Sequence, residues 1–534
     1  MRTSFHPLLF LLAGVGAISA AAVSPRPWGD WPKWGDQGDG TYLNPVIPAD
    51  YSDLDCIRVG ADYFAISSTF QFSPGMVILH SRDLVNWTIL GHAVTDLTQI
   101  SPELNWDRVN RYGKGIWAGA IRYHDNRFWI YFGTPDEGYF MTTAKDPAGP
   151  WEPLHRVLPE AGWDDPCPFW DDDGQGYLVG SSFRDGYKIH LWKLTPDGRE
   201  VVKDSDRVIH QSKGSEANKL YKINGHYYHF FSESRPEGRV VMMERAKAIF
   251  GPYEEIKQLK QADREAMEPN QGGLVQTPKG DWYFLTHHGR GSWEGRCLSL
   301  LPVTWTDGWP IIGEVGPDGL GAMTWAGKMP EQGLAGPTPE TSDEFSNAEL
   351  PAQWEWNYQP RAGKWSLTER PGWLRLHAFA PLVPGDLMKA GNTLTQRALR
   401  TAANEVVIEL DLAGMADGQQ AGLCHFSKTH AALGVLQEGA KRILVSVNNA
   451  IATPGPEIAG RRLWLRSIWG LDGQSQFSFS LDGRSFTDFG PMYQLAWGNY
   501  RGDRIGLYSY NSKGDEGYAD VNFFHYVHTG PRGP

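Results

Sequence analysis

Three acids share one phase of a repeated pattern. Five times along the chain a polar turn leads into an aromatic strand start, at Phe64, Phe128, Tyr177, Tyr227 and Trp282. The residues upstream of these starts are Asp53, Trp117, Asp165, Glu216 and Gln271, at spacings of 11, 11, 12, 11 and 11. If the repeats are equivalent modules around an axis, equivalent positions converge on that axis. Asp53, Asp165 and Glu216 then share a pocket. Burial and like charge push one carboxyl pKa up, making a proton donor, while another stays ionised. A donor on one side of a glycosidic bond and a base activating water on the other is the inverting arrangement, with roughly 6.5–9.5 Å between the carboxyls. Taken singly, each acid reads as an ordinary surface turn residue. The shared phase sets the three apart.

Other residues fall near the same phase. His287 lies beyond the fifth aromatic strand start and could ligate a central cation, hold a water, or serve as a hydrogen-bonded core histidine. Arg296 could bind a sugar hydroxyl, set a carboxyl pKa, or make a surface ion pair. Trp117 and Phe70 are candidate pocket walls for substrate, and core packing accounts for either as well.

The elements that must position these residues are strands. Helical periodicity is almost absent before residue 330. Tyr63–Ser67 is followed by Met76–His80, Phe128–Phe132 by Gly138–Met141, and Tyr177–Val179 by Ile189–Trp192. Tyr227–Phe231 is followed by Val240–Met243, and Trp282–Leu285 by Cys297–Leu300. Outer strands are expected at Trp87–Ile89, Trp151–Pro153 and Tyr253–Glu255. The turns Asp173-Gly174 and Asn224-Gly225 are strong hairpin signals because these residues tolerate positive φ. Five such units, about 50 to 64 residues apart, predict a five-bladed β-propeller over residues 27–330. Residues 331–340 are rich in Gly and Pro and read as a linker. From 341 to 534, alternating strands such as Glu405–Leu410 and Arg442–Val447 predict an antiparallel β-sandwich. The fold class is therefore all-β.

Composition bounds the function. The chain has 534 residues, a size that favours two or three domains. Its net charge of −12 argues against a nucleic-acid partner. Arg2, the apolar run Leu8–Ala17 and the small residues Ser19–Ala22 read as a signal peptide over residues 1–21, so a secreted protein is expected. No later stretch is apolar enough to span a membrane, and a monomer is the expectation. Cys56, Cys167, Cys297 and Cys424 have no metal-ligand spacing and read as buried thiols, with one disulfide left open. Asn86-Trp87-Thr88 is the sole N-glycosylation sequon. Carboxylate hydrolysis requires no cofactor. Asp343, Glu344 and Asp520 offer oxygen ligands for a structural calcium, though acids at domain edges are common.

At these residues the chain resembles glycoside hydrolase family 43, the five-bladed propeller arabinofuranosidases and β-xylosidases. The resemblance is carried by Asn44-Pro45-Val46 leading to Asp53, His80-Ser81-Arg82-Asp83-Leu84-Val85-Asn86-Trp87, Gly115-Ile116-Trp117-Ala118, Asp165-Pro166, Glu216 before Leu220–Gly225, and Asp307-Gly308-Trp309-Pro310. It implies Asp53 as general base, Glu216 as general acid and Asp165 as pKa modulator. It places His287 near an axial calcium or water and Arg296 against substrate. Two stretches depart. Asp53-Leu54-Asp55 stands where many xylosidases of the family have Asp-Pro, and Glu216-Ala217-Asn218 where Glu-Gly-Pro is frequent. The two-domain pattern resembles fungal arabinoxylan arabinofuranosidases, including those acting on doubly substituted xylose. That implies release of L-arabinofuranose from arabinoxylan, with exo-β-1,4-xylosidase as the alternative. A noncatalytic carbohydrate-binding propeller is the alternative of another class, and it would have no need of all three acids.

Overall fold

A computed structural model describes residues 31–262, 270–289, 292–331 and 338–533. The expected signal peptide and most of the expected linker lie outside the described residues. The described chain is built of strands, with three short 3-10 turns and no α-helix among the described residues.

Five sheets, each with a core of four antiparallel strands, follow one another in chain order; Gly321–Ala322 and Glu314–Val315 extend the fourth, and Ile47–Asp50 pairs onto the fifth. Their innermost strands are Asp55–Val59, Gly119–His124, Trp163–Trp170, Glu216–Ile223 and Gly272–Gln276. These strands pack first on second, second on third, third on fourth and fifth on first. The Leu274 N–H donates to Tyr221 Oη at 3.0 Å, joining fourth to fifth and closing the ring. Each aromatic strand start lies in, and each upstream residue at or just before, two successive strands of one sheet. The turns between them obey the expected chemistry. Asp125 and Asn126 take φ of 49° and 56°, and Asn224 and Gly225 take 50° and 75°, the left-handed pair that a tight two-residue hairpin demands.

Period-two alternation sends successive side chains of one strand into different gaps. Phe128, Ile130 and Phe132 pack between the first and second sheets with Ile66 and Ile78. Tyr131, one position out of phase, packs between the second and third sheets with Leu178 and Trp192. Both faces of each sheet are thus buried, which explains the near-continuous apolar runs. Outer strands begin later than two of the expected motifs, at His155 rather than Trp151 and at Glu255 rather than Tyr253. In both cases the segment before the strand carries a proline, Pro153 or Pro252, that has no N–H for a ladder bond.

Residues 341 onward form two packed sheets. One runs Ile451–Glu457, Lys441–Asn448, His430–Glu438, Gln419–Phe426, Arg504–Asn511, Leu394–Arg397 and Glu355–Asn357, and its eighth strand is Phe72–Ser73, which lies between the second and third strands of the first N-terminal sheet. The joint is charged as well as paired. Buried Glu355 lies 2.9 Å from Arg397 and 2.7 Å from Arg504, while Arg501 reaches Asp50 at 3.1 Å. Burial alone would raise the Glu355 carboxyl, but the two guanidiniums outweigh it and hold it well below the usual range. The four cysteines are buried free thiols. Asn86 Nδ2 donates to Asp83 Oδ2 at 2.8 Å, so the sequon side chain is part of a local turn.

The suggested sandwich calcium ligands do not converge. Asp343 accepts from Phe345 N and Trp354 Nε1, Glu344 pairs with His525, and Asp520 is held by Arg370 and Arg375. These partners satisfy the carboxylates with protein donors and cations, the role an ion would otherwise fill.

Candidate active site

The five upstream residues Asp53, Trp117, Asp165, Glu216 and Gln271 all line one cavity of about 320 Å³ at the head of the inner strands. That size is at the small end of ligand sites, which run from about 300 to 1,000 Å³. Phe70, His287 and Arg296 line it too.

The backbone is bent to aim these side chains. Asp53, Phe70, Asp165 and Ala217 take positive φ of 57°, 56°, 49° and 67°. Left-handed backbone costs a non-glycine residue on the order of 1–2 kcal/mol. The ladder register also shifts between Asp164 and Cys167 and between Glu216 and Lys219. Such bulges re-aim side chains at the ends of strands.

Asp53 is fixed from three sides. Its N–H donates to His287 Nδ1 at 2.8 Å, Arg296 Nη1 reaches Oδ1 at 2.7 Å, and Ser68 Oγ donates to Oδ2 at 2.6 Å. Arg296 and Ser68 thus hold one Asp53 carboxyl oxygen each. Because His287 Nδ1 accepts a hydrogen bond, its proton sits on Nε2. The ring then presents a donor, suited to a water or a hydroxyl, rather than the lone pair a cation requires. The metal-ligand expectation for His287 gives way on this ground.

Across the cavity, Asp164, Asp165 and Glu216 each bring a carboxylate oxygen within 4.8 Å of the others. They are the one such group of potential metal ligands among the described residues. Burial raises the Asp165 carboxyl, while Lys219 and the Ala217 N–H, which donates to Oδ2, pull it back only in part. Gln271 Nε2 also donates to it at 3.3 Å. Burial, then the charges of Asp165, Glu216 and Asp53, drive Asp164 well above the ordinary carboxylate range. The cluster thus sets two raised carboxyls, Asp164 and Asp165, in the same cavity as Asp53. Glu216 Oε1 lies 3.1 Å from Arg239 Nη1, which also donates to the Gly214 carbonyl and Ser232 Oγ.

The walls are aromatic. Half-buried Trp117 donates from Nε1 to the Gly113 carbonyl at 3.0 Å and faces Phe183. Phe70 is 3% exposed, so it packs in the core and lines the cavity at once. Tyr500 comes from the sandwich and closes one side, with the Arg296 guanidinium 5.2 Å from its ring centroid. Sequence reading missed Asp164, Phe183, Tyr187, Arg239, Asn270 and Tyr500. For Asp164 and Asn270 a signal was present, since they adjoin the phased Asp165 and Gln271; the rest lie outside the eleven-residue phase.

A ring of antiparallel sheets with carboxyls facing one cavity at its mouth is an arrangement suited to glycoside hydrolysis, and the family likeness identifies it as such. Residues 42–310 match the model for glycosyl hydrolases family 43, and residues 342–527 match the β-xylosidase C-terminal concanavalin A-like domain. A β-xylosidase of Formosa agariphila is 36% identical, over 94% of this chain and 92% of its own length. A non-reducing end α-L-arabinofuranosidase of Bacteroides ovatus is 31% identical, over 64% of this chain and 65% of its own. A bifunctional GH43-CE structure from Bacteroides eggerthii superposes with a TM-score of 0.81 at 31% identity; the match covers 93% of this chain and 64% of that one. The chain belongs to glycosyl hydrolases family 43 and is a glycoside hydrolase. These relatives are bacterial; they support the family, and not the expected fungal arabinofuranosidase-like subtype.

Proposed function

We propose that this protein is a secreted, inverting exo-glycosidase that removes one terminal pentose from xylan-type polysaccharide. The observation that carries the reading is the convergence of Asp53, Asp165 and Glu216 on one small cavity walled by Trp117, Phe70 and Tyr500. Glu216 gives its proton to the departing glycosidic oxygen as the C–O bond breaks. Asp53 takes a proton from the water that forms the new C–O bond on the opposite face. Asp165 tunes Glu216, and Arg296 holds Asp53 while touching the sugar. No cofactor enters these steps, and EDTA should leave the rate unchanged.

We read the five sheets as a five-bladed catalytic propeller over 27–330, joined through 331–340 to the sandwich at 341–534. Residues 1–21 direct export and are removed, which the N-terminal sequence of the exported protein tests. We take the enzyme to act as a monomer.

Two pentoses fit the reading. β-1,4-Linked xylose comes first, because the relative aligned along almost the whole chain is named a β-xylosidase. Release of L-arabinofuranose side chains from arabinoxylan is the second, supported by the arabinofuranosidase relative and by the departures at Leu54 and Ala217-Asn218. Chromatography of products from xylobiose and from arabinoxylan decides. Xylose from xylobiose supports the first reading, and arabinose from arabinoxylan the second. Neither sugar from either substrate overturns both. Proton NMR of the first product formed tests inversion.

A further inference from the structure

The residues that follow Glu216 form a connected support beneath it. Asn218 is fully buried, and both ends of its amide are engaged. Its Nδ2 donates to the Asp165 carbonyl at 3.2 Å and to Ser181 Oγ at 2.8 Å. Ser181 Oγ donates onward to the Ser215 carbonyl at 2.9 Å. One side chain therefore ties down the residue before Glu216, through Ser181, and the backbone of Asp165. The orientation of the amide is fixed chemically, because a flipped Oδ1 would face the Asp165 carbonyl oxygen.

Asn218 Oδ1 then needs a donor, and His229 Nε2 supplies it at 3.1 Å. His229 is fully buried, with Nδ1 2.9 Å from Glu244 Oε1. The other Glu244 oxygen lies 3.1 Å from His210 Nδ1. Burial would raise the Glu244 carboxyl, but the bonds from His210 and His229 overcome it and hold it below the usual range. Burial also pulls the His229 ring towards neutrality. An Nδ1–H towards the Glu244 carboxylate and an Nε2–H towards Asn218 Oδ1 together require the imidazolium, which Glu244 favours and burial opposes.

We propose that Asn218, held by His229 and Glu244, is the positioning residue that sets Glu216 against Asp165 for proton donation. The chain spans three sheet strands and ends on the two bulged segments that carry the acids. Asn218 touches no substrate and acts through Glu216. The inference rests on reading Glu216 as the acid.

The test compares aryl glycosides, β-D-xylosides and α-L-arabinofuranosides, with 4-methylumbelliferyl and 2,4-dinitrophenyl leaving groups. The dinitrophenolate departs without protonation, so only the methylumbelliferyl reaction needs a well-placed acid. Asn218→Leu should lower kcat on the methylumbelliferyl glycoside by about 10- to 100-fold, with KM nearly unchanged and a much smaller loss on the dinitrophenyl glycoside. Equal losses on both leaving groups, or none, would overturn the proposal. His229→Gln keeps an N–H near the Nε2 position and should restore most of the rate lost in His229→Leu. Equal rates in that pair also overturn it, and the pair decides if Asn218→Leu does not fold. Glu216→Ala separates the two levels. If that variant keeps full activity, the acid assignment fails; if it loses activity while Asn218→Leu is normal, only the positioning role fails.

Discussion

Ser52 Oγ donates to the Tyr500 carbonyl at 3.2 Å across 448 residues of sequence. The contact joins the residue before Asp53 to the sandwich loop that walls the cavity. Arg501, fully buried beside Tyr500, anchors the same loop on Asp50 and on the Ser68 carbonyl. Ser68 is also the hydroxyl that holds Asp53. The sandwich is therefore built into the site, and its removal should be felt at the chemistry.

The propeller expressed alone, residues 27–330, is expected to lose most activity. It lacks Tyr500, and the buried face at Phe72–Ser73 and Asp50 would open to water. Equal kcat/KM in the truncated and full chains would show that the sandwich contributes nothing to catalysis.

Tyr500→Ala should raise KM several-fold for short substrates and leave the fold intact, because the ring is 53% exposed and bears on Arg296 rather than on the core. Steady-state kinetics alongside a melting curve check both halves of this expectation. Loss of an aromatic contact of this kind costs about 0.5–1.5 kcal/mol.

Asp164 gives a pH-dependent prediction. Its folded pKa is raised above the unfolded value of about 3.9. Between those two values the folded state binds more protons, so stability falls as pH rises through that window. Asp164→Asn removes the penalty. The variant should melt higher than the parent at pH 7, by about 1–2 °C, with the difference vanishing below about pH 4. Calorimetry at the two pH values measures it; an equal offset at both would contradict this assignment.

Glu355 is the centre of the domain joint. Glu355→Ala leaves Arg397 and Arg504 buried without their shared counter-ion, a loss of about 3–5 kcal/mol. Denaturant unfolding should show a lower midpoint, and activity should fall at temperatures where the parent is stable, because Tyr500 is carried by the same sandwich.

The positions of the site residues in the repeat were legible from sequence because a propeller repeats its geometry. Residues one repeat apart sit at equivalent heads of inner strands, so a spacing of eleven or twelve located Asp53, Trp117, Asp165, Glu216 and Gln271 without coordinates. Asp-Gly and Asn-Gly turns and alternating apolar residues are local signals, and they defined the strands. The tertiary structure alone decided which loops close the cavity. Tyr500, Arg239 and Phe183 enter it through long-range docking, which leaves no periodic trace. It also decided protonation. Asp164 and Asp165 look alike in the sequence, but Lys219 and the Ala217 and Gln271 donors lower Asp165 and separate the two. The histidine at 287 likewise reads equally as a cation ligand, a holder of water or a core residue until the Asp53 N–H claims its Nδ1. Spacing along the chain identifies the acids, whereas their charges depend on neighbours that only folding brings within hydrogen-bond range.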